Sequence, residues 1–477
     1  MERRAFLVFK PLALTYIAPM LSTELPKGPR GMPLLGTLPR AFRDGLKFWI
    51  EMNQSYGPVA YAKLAWFDLY MLNEPELVTK LFVEHHRDAV KDMSQLPELL
   101  QFWGMGLVSL DGEPWRVRRK LAAPSLQPKR MSSYVDSMVS AAERACGAYV
   151  EGERRDFHED SMRITLEIAA KTLLGFDVGP EAERIAEIMH TALAYFTKRM
   201  FRLSQRFIPP SVPTADQRAF RRAVRDLDAI IYNMLADLRM RGSDEQHLLA
   251  QLMRARDENG RGLSDQELRD EAVTMLVSGH ETAALTLTFA VYELARQPAV
   301  AARLREEVER VAPGGRSLRA EDLPQLTWAE AIAKETLRLY PPGHALTRRV
   351  VQPFELGGYT MPKGALVGVS PYAMQRNPRF YPDPERFHPQ RWFEGAEKAP
   401  RGCYMPFGDG PRVCVGSHFA LAEVKLVLST LLRQLDFELG PNYELKLDPG
   451  ITLRPIGGMP VIVHRRQRHH ESLHLNP

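Results

Sequence analysis

Cys414 is the residue whose sequence surroundings are best suited to chemistry. It stands in the run Phe407-Gly408-Asp409-Gly410-Pro411-Arg412-Val413-Cys414-Val415-Gly416, in which glycines bracket a single cysteine. Glycines permit close backbone approach and unusual dihedral angles, so peptide N–H groups can point at one sulfur. An apolar helical pattern follows the loop, and the positive end of that helix also favours a thiolate. The loop therefore predicts a thiolate that ligates a metal, with a buried structural cysteine as the alternative.

An acid followed by a hydroxyl forms a second candidate site. The segment Ser278-Gly279-His280-Glu281-Thr282 falls inside a stretch of helical spacing that runs from Asp265 to Arg296. A carboxylate beside a hydroxyl can pass protons, because the hydroxyl holds the water that delivers them. The alternative is that Thr282 bonds to a carbonyl one turn back while Glu281 is merely solvated.

Glu335 and Arg338 form a third pattern. They are one turn apart in a predicted helix, so they share a face and can form an ion pair. An isolated pair of this kind is usually a solvated surface pair of little energetic value. Its interest here comes from its order and spacing relative to the other motifs.

These segments resemble the motifs of the cytochrome P-450 family. The run F-x-x-G-x-R-x-C-x-G resembles that family's haem-binding signature, and Glu335-Thr336-Leu337-Arg338 resembles its E-x-x-R. Pro384-Glu385-Arg386-Phe387 resembles its P-E-R-F segment, and the pentapeptide that ends at Thr282 resembles its oxygen-activation motif. The resemblance covers essentially the whole chain. It implies a haem-thiolate protein with Cys414 as the iron ligand.

The resemblance also assigns supporting residues. It implies that Arg386 joins Glu335 and Arg338 in a buried triad that locks the cysteine loop in place. The cofactor is expected to be haem b (iron protoporphyrin IX), with cations near its propionates and Phe407 packed against the sulfur. The residues expected to bind it are Cys414, Phe407, Gly408, Arg412, Gly416, Trp115, Arg119, Arg348 and His344. The alternative for the cations is an ordinary surface role, and for Trp115 a place in the core.

The oxygen-activation motif implies roles for three residues. Gly279 would make room for dioxygen, while Glu281 and Thr282 would supply protons to it. Two positions depart from the commoner form of the motif, since the acid is Glu rather than Asp and Ser278 stands where Ala is usual. Both are chemically compatible with a proton relay.

The rest of the sequence predicts a mainly α (α+β) fold with small sheets. Most of the stretch from Asp136 to Leu339 has helical spacing, whereas Val59 to Leu72 predicts a hairpin with a helix starting at Pro75. Short apolar runs broken by Gly and Pro predict late strands within Val350 to Val369 and Leu445 to Val463. The pattern agrees with the implied helical bundle around a buried haem with small peripheral β-sheets.

No linker, repeat or low-complexity tract divides the 477 residues. We expect a single haem domain over residues 25–464, an apolar N-terminal segment over 1–24 and a basic polar tail over 465–477. Its apolar stretch, Ala5 to Leu21, contains a lysine and two prolines and is shorter than the ~20 clean apolar residues of a membrane span. It is therefore interpreted as a peripheral anchor at most.

Composition restricts the compartment and the class of partner. Three cysteines in so long a chain argue against a disulfide framework and for a reducing compartment, so we expect a cytoplasmic protein with at most peripheral membrane association. The net charge is +5, but Lys and Arg are spread widely. No nucleic-acid partner is expected.

The implied function is a monooxygenase that inserts one atom of O2 into a lipophilic substrate such as a fatty acid, terpenoid or steroid. Electrons are expected from a separate ferredoxin or flavodoxin-like donor and its reductase, with NAD(P)H acting only through the reductase. A haem-thiolate peroxygenase or an isomerase/dehydratase is an alternative that the acid–alcohol pair argues against. A non-enzymatic haem sensor or electron carrier is a further alternative, which Gly279 disfavours by opening the sixth iron position.

Two surfaces are predicted for these partners. A basic run is expected to receive an acidic electron donor, with a merely solvated face as the alternative. Its members are Arg116, Arg118, Arg119, Lys120, Lys129 and Arg130. The walls of the substrate pocket are expected within Leu96 to Leu110 and Tyr195 to Pro213, although both stretches are equally suited to the core.

Overall fold

The computed structural model describes residues 24–93, 97–177, 179–201, 214–241, 247–256, 260–395 and 398–466. Apart from their inner ends, the predicted N-terminal segment (1–24) and C-terminal tail (465–477) lie outside these ranges, as does the second half of the pocket wall predicted from Tyr195 to Pro213. Within the described ranges, no helix is both long enough and apolar enough to cross a membrane.

Helices make up most of the described chain. The first eight are α1 (Leu38–Arg43), α2 (Gly45–Gln54), α3 (Pro75–Val83), α4 (Pro97–Trp103), α5 (Gly112–Ala122), α6 (Pro128–Ala148), α7 (Phe157–Ala169) and α8 (Ala182–Phe201). The others are α9 (Ala215–Arg241), α10 (Leu248–Arg254), α11 (Asp265–Arg296), α12 (Pro298–Val311), α13 (Thr327–Leu339), α14 (Pro371–Met374) and α15 (Ser417–Gln434). The helix predicted from Asp265 to Arg296 is confirmed at both ends.

In the described ranges, four small sheets lie around these helices. The strands are β1 (Val59–Leu64), β2 (Phe67–Leu72), β3 (Ala89–Val90), β4 (Arg154–Asp156), β5 (Leu346–Val350), β6 (Phe354–Leu356), β7 (Tyr359–Met361), β8 (Leu366–Val369), β9 (Leu435–Leu439), β10 (Leu447–Pro449), β11 (Leu453–Pro455) and β12 (Pro460–Arg465). The largest sheet has the order β1-β2-β8-β5-β3, with β2 and β8 parallel, and β10 pairs antiparallel with β11. The mainly α fold with minor sheets is confirmed, as is the hairpin within Val59–Leu72.

Helix α11 runs through the centre of the molecule. Its start is set by a capping box, in which the Ser264 side chain accepts from the backbone N–H of Glu267 and the Glu267 carboxylate accepts from that of Ser264. Between Leu268 and Leu294 nearly every side chain is buried, which is the pattern of a helix enclosed on all sides. The exceptions are Ser278, Gly279, Thr282 and Tyr292. The first three are adjacent on one face, so burial is interrupted at the predicted oxygen-activation motif.

Helix α15 carries the chain away from Cys414 and anchors the cysteine loop to the core. It packs against α6, where the rings of Tyr134 and Phe419 meet edge to face with centroids 5.6 Å apart. It also meets α13, where the Lys425 ammonium lies 2.9 Å from a Glu330 carboxylate oxygen. These helices share the large apolar core, while two smaller clusters lie beside the five-stranded sheet.

Candidate active site

The cysteine loop is a short turn of 3-10 helix, Gly410–Arg412, whose ends are bonded together. The Cys414 N–H donates to the Phe407 carbonyl at 2.9 Å, which closes the loop. Gly410 has φ of +68°, and a Cβ at that position would lie 2.0 Å from the Phe82 carbonyl oxygen on α3. Only glycine fits such a position without strain or clash. The predicted role of the glycines in shaping this loop therefore has a direct steric basis at Gly410.

The Cys414 sulfur lines a deep recess of the protein. The Cys414 side chain is accessible to solvent, yet protein atoms surround it closely. The resulting desolvation raises the pKa of its thiol. The Gly416 N–H, the Arg119 guanidinium and the Lys91 ammonium act in the opposite direction and lower it. A metal at the sulfur would add the dominant positive charge and deprotonate the thiol. Cys414 thus offers a soft, anionic sulfur ligand, and a hydrogen bond and two nearby cations stabilise its negative charge.

Arg119 supports the loop itself. Its guanidinium donates to the Val413 carbonyl at 2.5 Å, next to the cysteine. Burial lowers the pKa of Arg119, and the nearby Cys414 partly offsets that effect. The structure therefore places this predicted cofactor residue against the backbone of the cysteine loop.

A cluster of three cations lies beside the same loop. Lys91, Arg348 and Arg412 line one small cavity together with Asp111. Arg412 donates to the Leu110 carbonyl at 2.7 Å and to the Asp111 carboxylate. Its guanidinium carbon lies 4.0 Å from the centre of the buried Trp115 ring, in a cation–π contact.

These cations exceed the negative charge that faces them. Burial and the neighbouring Arg348 and Arg412 lower the pKa of Lys91 to about 8, and burial with Arg412 lowers that of Arg348 to about 10. Asp111 is the acid that opposes both shifts most strongly. Three cations around one carboxylate form a site for an anionic group, and the two carboxylates of a haem fit that requirement.

Lys91 was not predicted from the sequence. It follows strand β3 in a segment without a recognisable motif, and only the pairing of β3 with β5 brings it near Arg348. His344, which was predicted to join the propionate partners, lies elsewhere. Its Nε2 is 2.9 Å from the Gly450 carbonyl oxygen, and the acid that acts on its pKa is Asp448. It does not line the cavity of Lys91, Arg348 and Arg412, and its assignment to the propionates stays a prediction.

The Glu335–Arg338 pair is fully buried, not a surface pair. Arg338 donates to both carboxylate oxygens of Glu335, at 2.9 and 3.0 Å. Arg391 donates to the same carboxylate at 2.9 Å, and the Trp392 indole N–H donates at 3.1 Å. Every side chain in this cluster is within the buried core. A buried triad exists, as predicted, but Arg391 closes it.

The assignment of Arg386 to the triad is wrong. Its side chain is exposed, and it contributes only its carbonyl oxygen, which accepts from Arg338 at 3.1 Å. The turn at Asp383, with φ of +47°, sends residues 384–386 along the surface before a 3-10 turn, Pro389–Trp392, carries Arg391 inward. The sequence offered two runs of the form P-x-R-aromatic, at 384–387 and 389–392, and the second is the functional one.

Gln375 connects the triad to the cysteine loop. Its carbonyl accepts from Arg338 at 2.9 Å, and its side-chain amide donates to the Leu337 and Arg338 carbonyls. Its amide oxygen accepts from the N–H of Met405 at 2.9 Å, two residues before Phe407. Side chain and backbone of one buried glutamine thus bridge α13 and the chain that enters the loop.

The acid and the hydroxyl of the predicted relay are each bonded elsewhere. The Thr282 hydroxyl donates to the Ser278 carbonyl at 3.0 Å, which is the back-bonding alternative considered above. The buried Glu281 carboxylate accepts from the Thr452 hydroxyl at 2.5 Å and from the Arg454 guanidinium at 2.9 Å. Glu281 is therefore neither solvated nor turned to Thr282, and its buried carboxylate is held in an ion pair with the half-buried Arg454.

The partners of Glu281 come from the hairpin β10–β11 (Leu447–Pro455). This hairpin is attached near the site by two further bonds, from the Leu453 N–H to the Pro342 carbonyl and between His344 and the Gly450 carbonyl. Gly279 lies two residues before this acid on α11 and is half-buried. A Cβ there would lie 3.2 Å from the Leu173 side chain in the turn after α7, so a larger residue would require Leu173 to shift slightly. The role of Gly279 toward oxygen stays a prediction.

The predicted basic surface loses two members, Arg119, which is bonded to the cysteine loop, and Arg118. Arg118 is buried, and it pairs with Glu267 at 2.9 Å and faces Glu271 at 3.6 Å, both on α11. It joins two helices and is not available to a partner. Exposed or half-buried residues on and after α5 keep the surface basic: Arg116, Lys120, Lys129 and Arg130.

Comparison with known proteins agrees with this geometry. The family model for cytochrome P450 matches residues 26–459. The cyclooctat-9-en-7-ol 5-monooxygenase of Streptomyces melanosporofaciens is 31% identical over 432 residues, covering 89% of this chain and 90% of that protein. The pentalenene oxygenase of Streptomyces avermitilis is 29% identical over 447 residues, covering 92% of this chain and 95% of that protein. The retinoic acid-bound structure of the cyanobacterial CYP120A1 superposes with a TM-score of 0.82 at 26% identity, covering 93% of this chain and all of the other. This chain belongs to the cytochrome P450 family.

Proposed function

We propose that this cytochrome P450 monooxygenase hydroxylates a cyclic terpenoid, and that it does so with haem b bound at Cys414. Two Streptomyces relatives are named for oxidations of cyclooctat-9-en-7-ol and pentalenene, which supports a substrate of that class. Strand β5 borders the cysteine loop, since Leu346 lies 3.9 Å from the place of a Cβ on Gly408. An apolar side chain at this point suits a hydrocarbon substrate.

Haem would be held at its iron by Cys414 and at its carboxylates by Lys91, Arg348 and Arg412. Bound in this way, the cofactor supplies the oxygen chemistry, and a thiolate ligand favours O–O cleavage. The surplus of positive charge around Asp111 is the observation that carries this assignment. Arg119 and the Gly410 turn contribute by holding the cysteine backbone in place.

Proton supply would fall to Thr282 and Glu281. Thr282 is half-buried on the exposed face of α11, where its hydroxyl can exchange the Ser278 carbonyl for a water. Glu281 is the neighbouring acid, and its release from Arg454 would bring a carboxylate to that water. Electrons would come from a separate ferredoxin or flavodoxin-like protein that docks on the basic surface of α5 and α6, in a reducing, cytoplasmic setting.

The assignment of Cys414 predicts a specific spectrum. In the reduced, carbon monoxide-bound state, the wild-type protein is expected to show the strongly red-shifted Soret band of a thiolate-ligated haem, and Cys414→Ser is expected to lose it. A cyclic terpene hydrocarbon added to the oxidised wild-type protein is expected to shift the iron spin state, because it displaces water from the recess.

Cys403→Ala is the matched control for that experiment. Cys403 is a buried thiol whose pKa burial raises to about 12, so it should contribute nothing to iron ligation. This variant should retain the red-shifted band. A band typical of histidine-ligated haem in the wild type would contradict the proposal, and a spin shift with fatty acids but not with terpenes would contradict the substrate class.

Lys91 gives a prediction for cofactor retention. Lys91→Met is expected to increase the rate of haem loss by about 10-fold or more, because a charge-assisted contact to a carboxylate is worth roughly 1.5–3 kcal/mol. The rate is measured as haem transfer to an excess of apo-globin. Lys129→Met, on α6 and exposed, is the control and should leave the rate unchanged. Equal rates in Lys91→Met and wild type would remove Lys91 from the cofactor site.

A further inference from the structure

A row of polar side chains follows one face of α11 and ends at Thr282. Its members are Glu267, Glu271, Thr274, Ser278 and Thr282, spaced by three or four residues. At 3.6 residues per turn they fall within an arc of about 80°. In a helix enclosed by the protein, such spacing usually carries apolar residues. We call this row the polar face of α11; Glu281 lies outside its arc.

The polar face connects the surface of the protein with the active site. The Glu267 side chain is 28% exposed at the start of α11, and it accepts from Arg118 of α5 at 2.9 Å. The next two members, Glu271 and Thr274, are fully buried. Ser278 is exposed again and Thr282 is half-buried. The buried members therefore lie between two places that water can reach.

The buried middle of the polar face has polar atoms to spare. Among the described residues, the two carboxylate oxygens of Glu271 and the Thr274 hydroxyl have no hydrogen-bond partner. Arg118 faces Glu271 at 3.6 Å, which is beyond hydrogen-bond distance. Buried polar atoms are nearly always bonded, and those that lack a protein partner are where ordered water binds. We therefore expect ordered water between Glu271 and Thr274.

The loop between α4 and α5 encloses this part of the helix. The Met105 N–H donates to the Asp270 carboxylate at 2.8 Å, which ties the loop to α11. A Cβ on Gly106 would lie 2.2 Å from the Thr274 hydroxyl oxygen, so the loop backbone passes directly over that hydroxyl. A glycine there lets the loop cover the polar face without displacing Thr274.

The surroundings of Glu271 favour a carboxyl that can hold a proton at neutral pH. The pKa of Glu271 is raised to about 7, chiefly by burial. Asp270 and Glu267 on the same helix also raise it. Arg118 on α5 and the Leu107 N–H of the loop lower it. A group whose pKa lies near the working pH can both give and regain a proton, as a relay requires.

We propose that Glu271 supplies protons to Thr282 along the polar face of α11, through ordered water and the Ser278 hydroxyl. The Glu271 carboxyl gives its proton to water, and the Ser278 oxygen accepts a proton while its hydroxyl releases another toward Thr282. The Glu271 carboxylate then regains a proton from solvent beside Glu267. Because Glu271 acts through other groups, it is a positioning residue for the proton supply.

Ser278 makes the row continuous. Its hydroxyl donates to the Thr274 carbonyl at 2.5 Å, and the Thr282 hydroxyl donates to the Ser278 carbonyl at 3.0 Å. Side chains four residues apart on a helix are neighbours, so one water can join the two hydroxyls. An alanine, which is usual at this position of the motif, would interrupt the row. The route therefore depends on a departure of this sequence from the common motif.

The pH dependence of coupling tests the proposal, which rests on the proposed function because it requires Thr282 to pass protons. With a ferredoxin and its reductase supplying electrons, the wild type should form less product per NAD(P)H as the pH rises through about 7. Glu271→Gln should lower that yield by about fivefold and abolish its pH dependence; the loss is smaller than the roughly 10²-fold of a lost direct donor because Glu281 remains beside Thr282. Glu271→Asp retains a carboxyl and should recover most of the yield.

Two further variants complete the set. Ser278→Ala should give the same loss as Glu271→Gln, and the double variant should lose no more, because both changes interrupt one route. Glu423→Gln is the matched control. Glu423 is a buried carboxyl on α15, and neither of its oxygens has a partner among the described residues. Its replacement should leave the yield and its pH dependence unchanged.

Infrared spectroscopy of the oxidised holoprotein gives a readout that needs no turnover. A carbonyl stretch of protonated carboxyl should disappear as the pH rises through about 7, and Glu271→Gln should lack this transition while Glu423→Gln retains it. Absence of the transition in wild type would overturn the proposal. Normal coupling in Ser278→Ala would also overturn it, as would a loss in Glu271→Gln that keeps the wild-type pH dependence, since a merely structural contact with Arg118 predicts both.

Thr282→Ala separates failure of this inference from failure of the proposed function. If Thr282→Ala wastes electrons while Glu271→Gln and Ser278→Ala couple as wild type does, protons reach Thr282 by another route and only this inference fails. If Thr282→Ala itself couples normally, the proposed proton supply fails, and this inference fails with it. An unaltered reduced carbon monoxide spectrum shows that each variant is folded.

Discussion

Arg391→Leu is expected to destabilise the holoprotein by about 3 kcal/mol or more, whereas Arg386→Leu is expected to change its stability by less than about 0.5 kcal/mol. The difference arises because Arg391 donates to a fully buried carboxylate, that of Glu335, while Arg386 points into solvent. Removing one donor leaves charge on Glu335 that water cannot reach. The measurement is a urea titration followed by far-UV circular dichroism and by the haem absorbance.

In Arg391→Leu, the haem absorbance should change at lower urea than the far-UV circular dichroism does. Arg338 is bonded to Gln375, and Gln375 is bonded to Met405 at the entry to the cysteine loop, so a disturbed triad should loosen that loop before the helices melt. We therefore expect the haem transition of Arg391→Leu to occur at lower urea than its helical transition. A larger effect of Arg386→Leu than of Arg391→Leu would contradict the assignment of the triad.

Thr282→Ala is expected to separate electron consumption from product formation. Product per NAD(P)H should fall by about 10-fold or more, with hydrogen peroxide rising to account for the electrons, because a positioned proton donor contributes roughly 10²–10⁴-fold to such steps. Thr282→Ser should restore most of the product, since it retains the hydroxyl that now bonds to Ser278. Peroxide and product are measured together in a reconstituted system with a ferredoxin and its reductase.

Thr286→Ala is the matched control. Thr286 lies one turn further along α11 and makes the same kind of bond, to the Thr282 carbonyl at 2.8 Å, but it is buried. The Thr286→Ala variant should leave the product formed per NAD(P)H unchanged. If Thr282→Ala couples as well as wild type, Thr282 has no part in proton supply, and a peroxide-using or isomerising haem-thiolate enzyme becomes the better description.

The sequence predicted those parts of the site that depend on local pattern. The end points of α11 follow from Ser264 at one end and from Pro298 just beyond the other, both of which act within a few residues. The hairpin within 59–72 and the loop at Cys414 are likewise local, because glycines and alternating apolar residues determine them. Each was located correctly without knowledge of any distant contact.

What the sequence could not supply were contacts between distant segments. Arg454 is 173 positions from Glu281, and no motif relates a hairpin arginine to a helix acid. Lys91 reaches Arg348 only through the pairing of two short strands. The choice between Arg386 and Arg391 failed for another reason, since two similar runs occur five residues apart and only burial distinguishes them.

The hairpin β10–β11 has a consequence for how this enzyme can change. Arg454 and Thr452 hold the acid of the central helix, while Gly450 in the same hairpin is bonded to His344 just before β5. A substitution that reshapes the hairpin will therefore also shift the resting position of Glu281 and the chain at His344. If Glu281 supplies protons as proposed, variants of this hairpin should therefore waste reducing equivalents unless residues on α11 change with them.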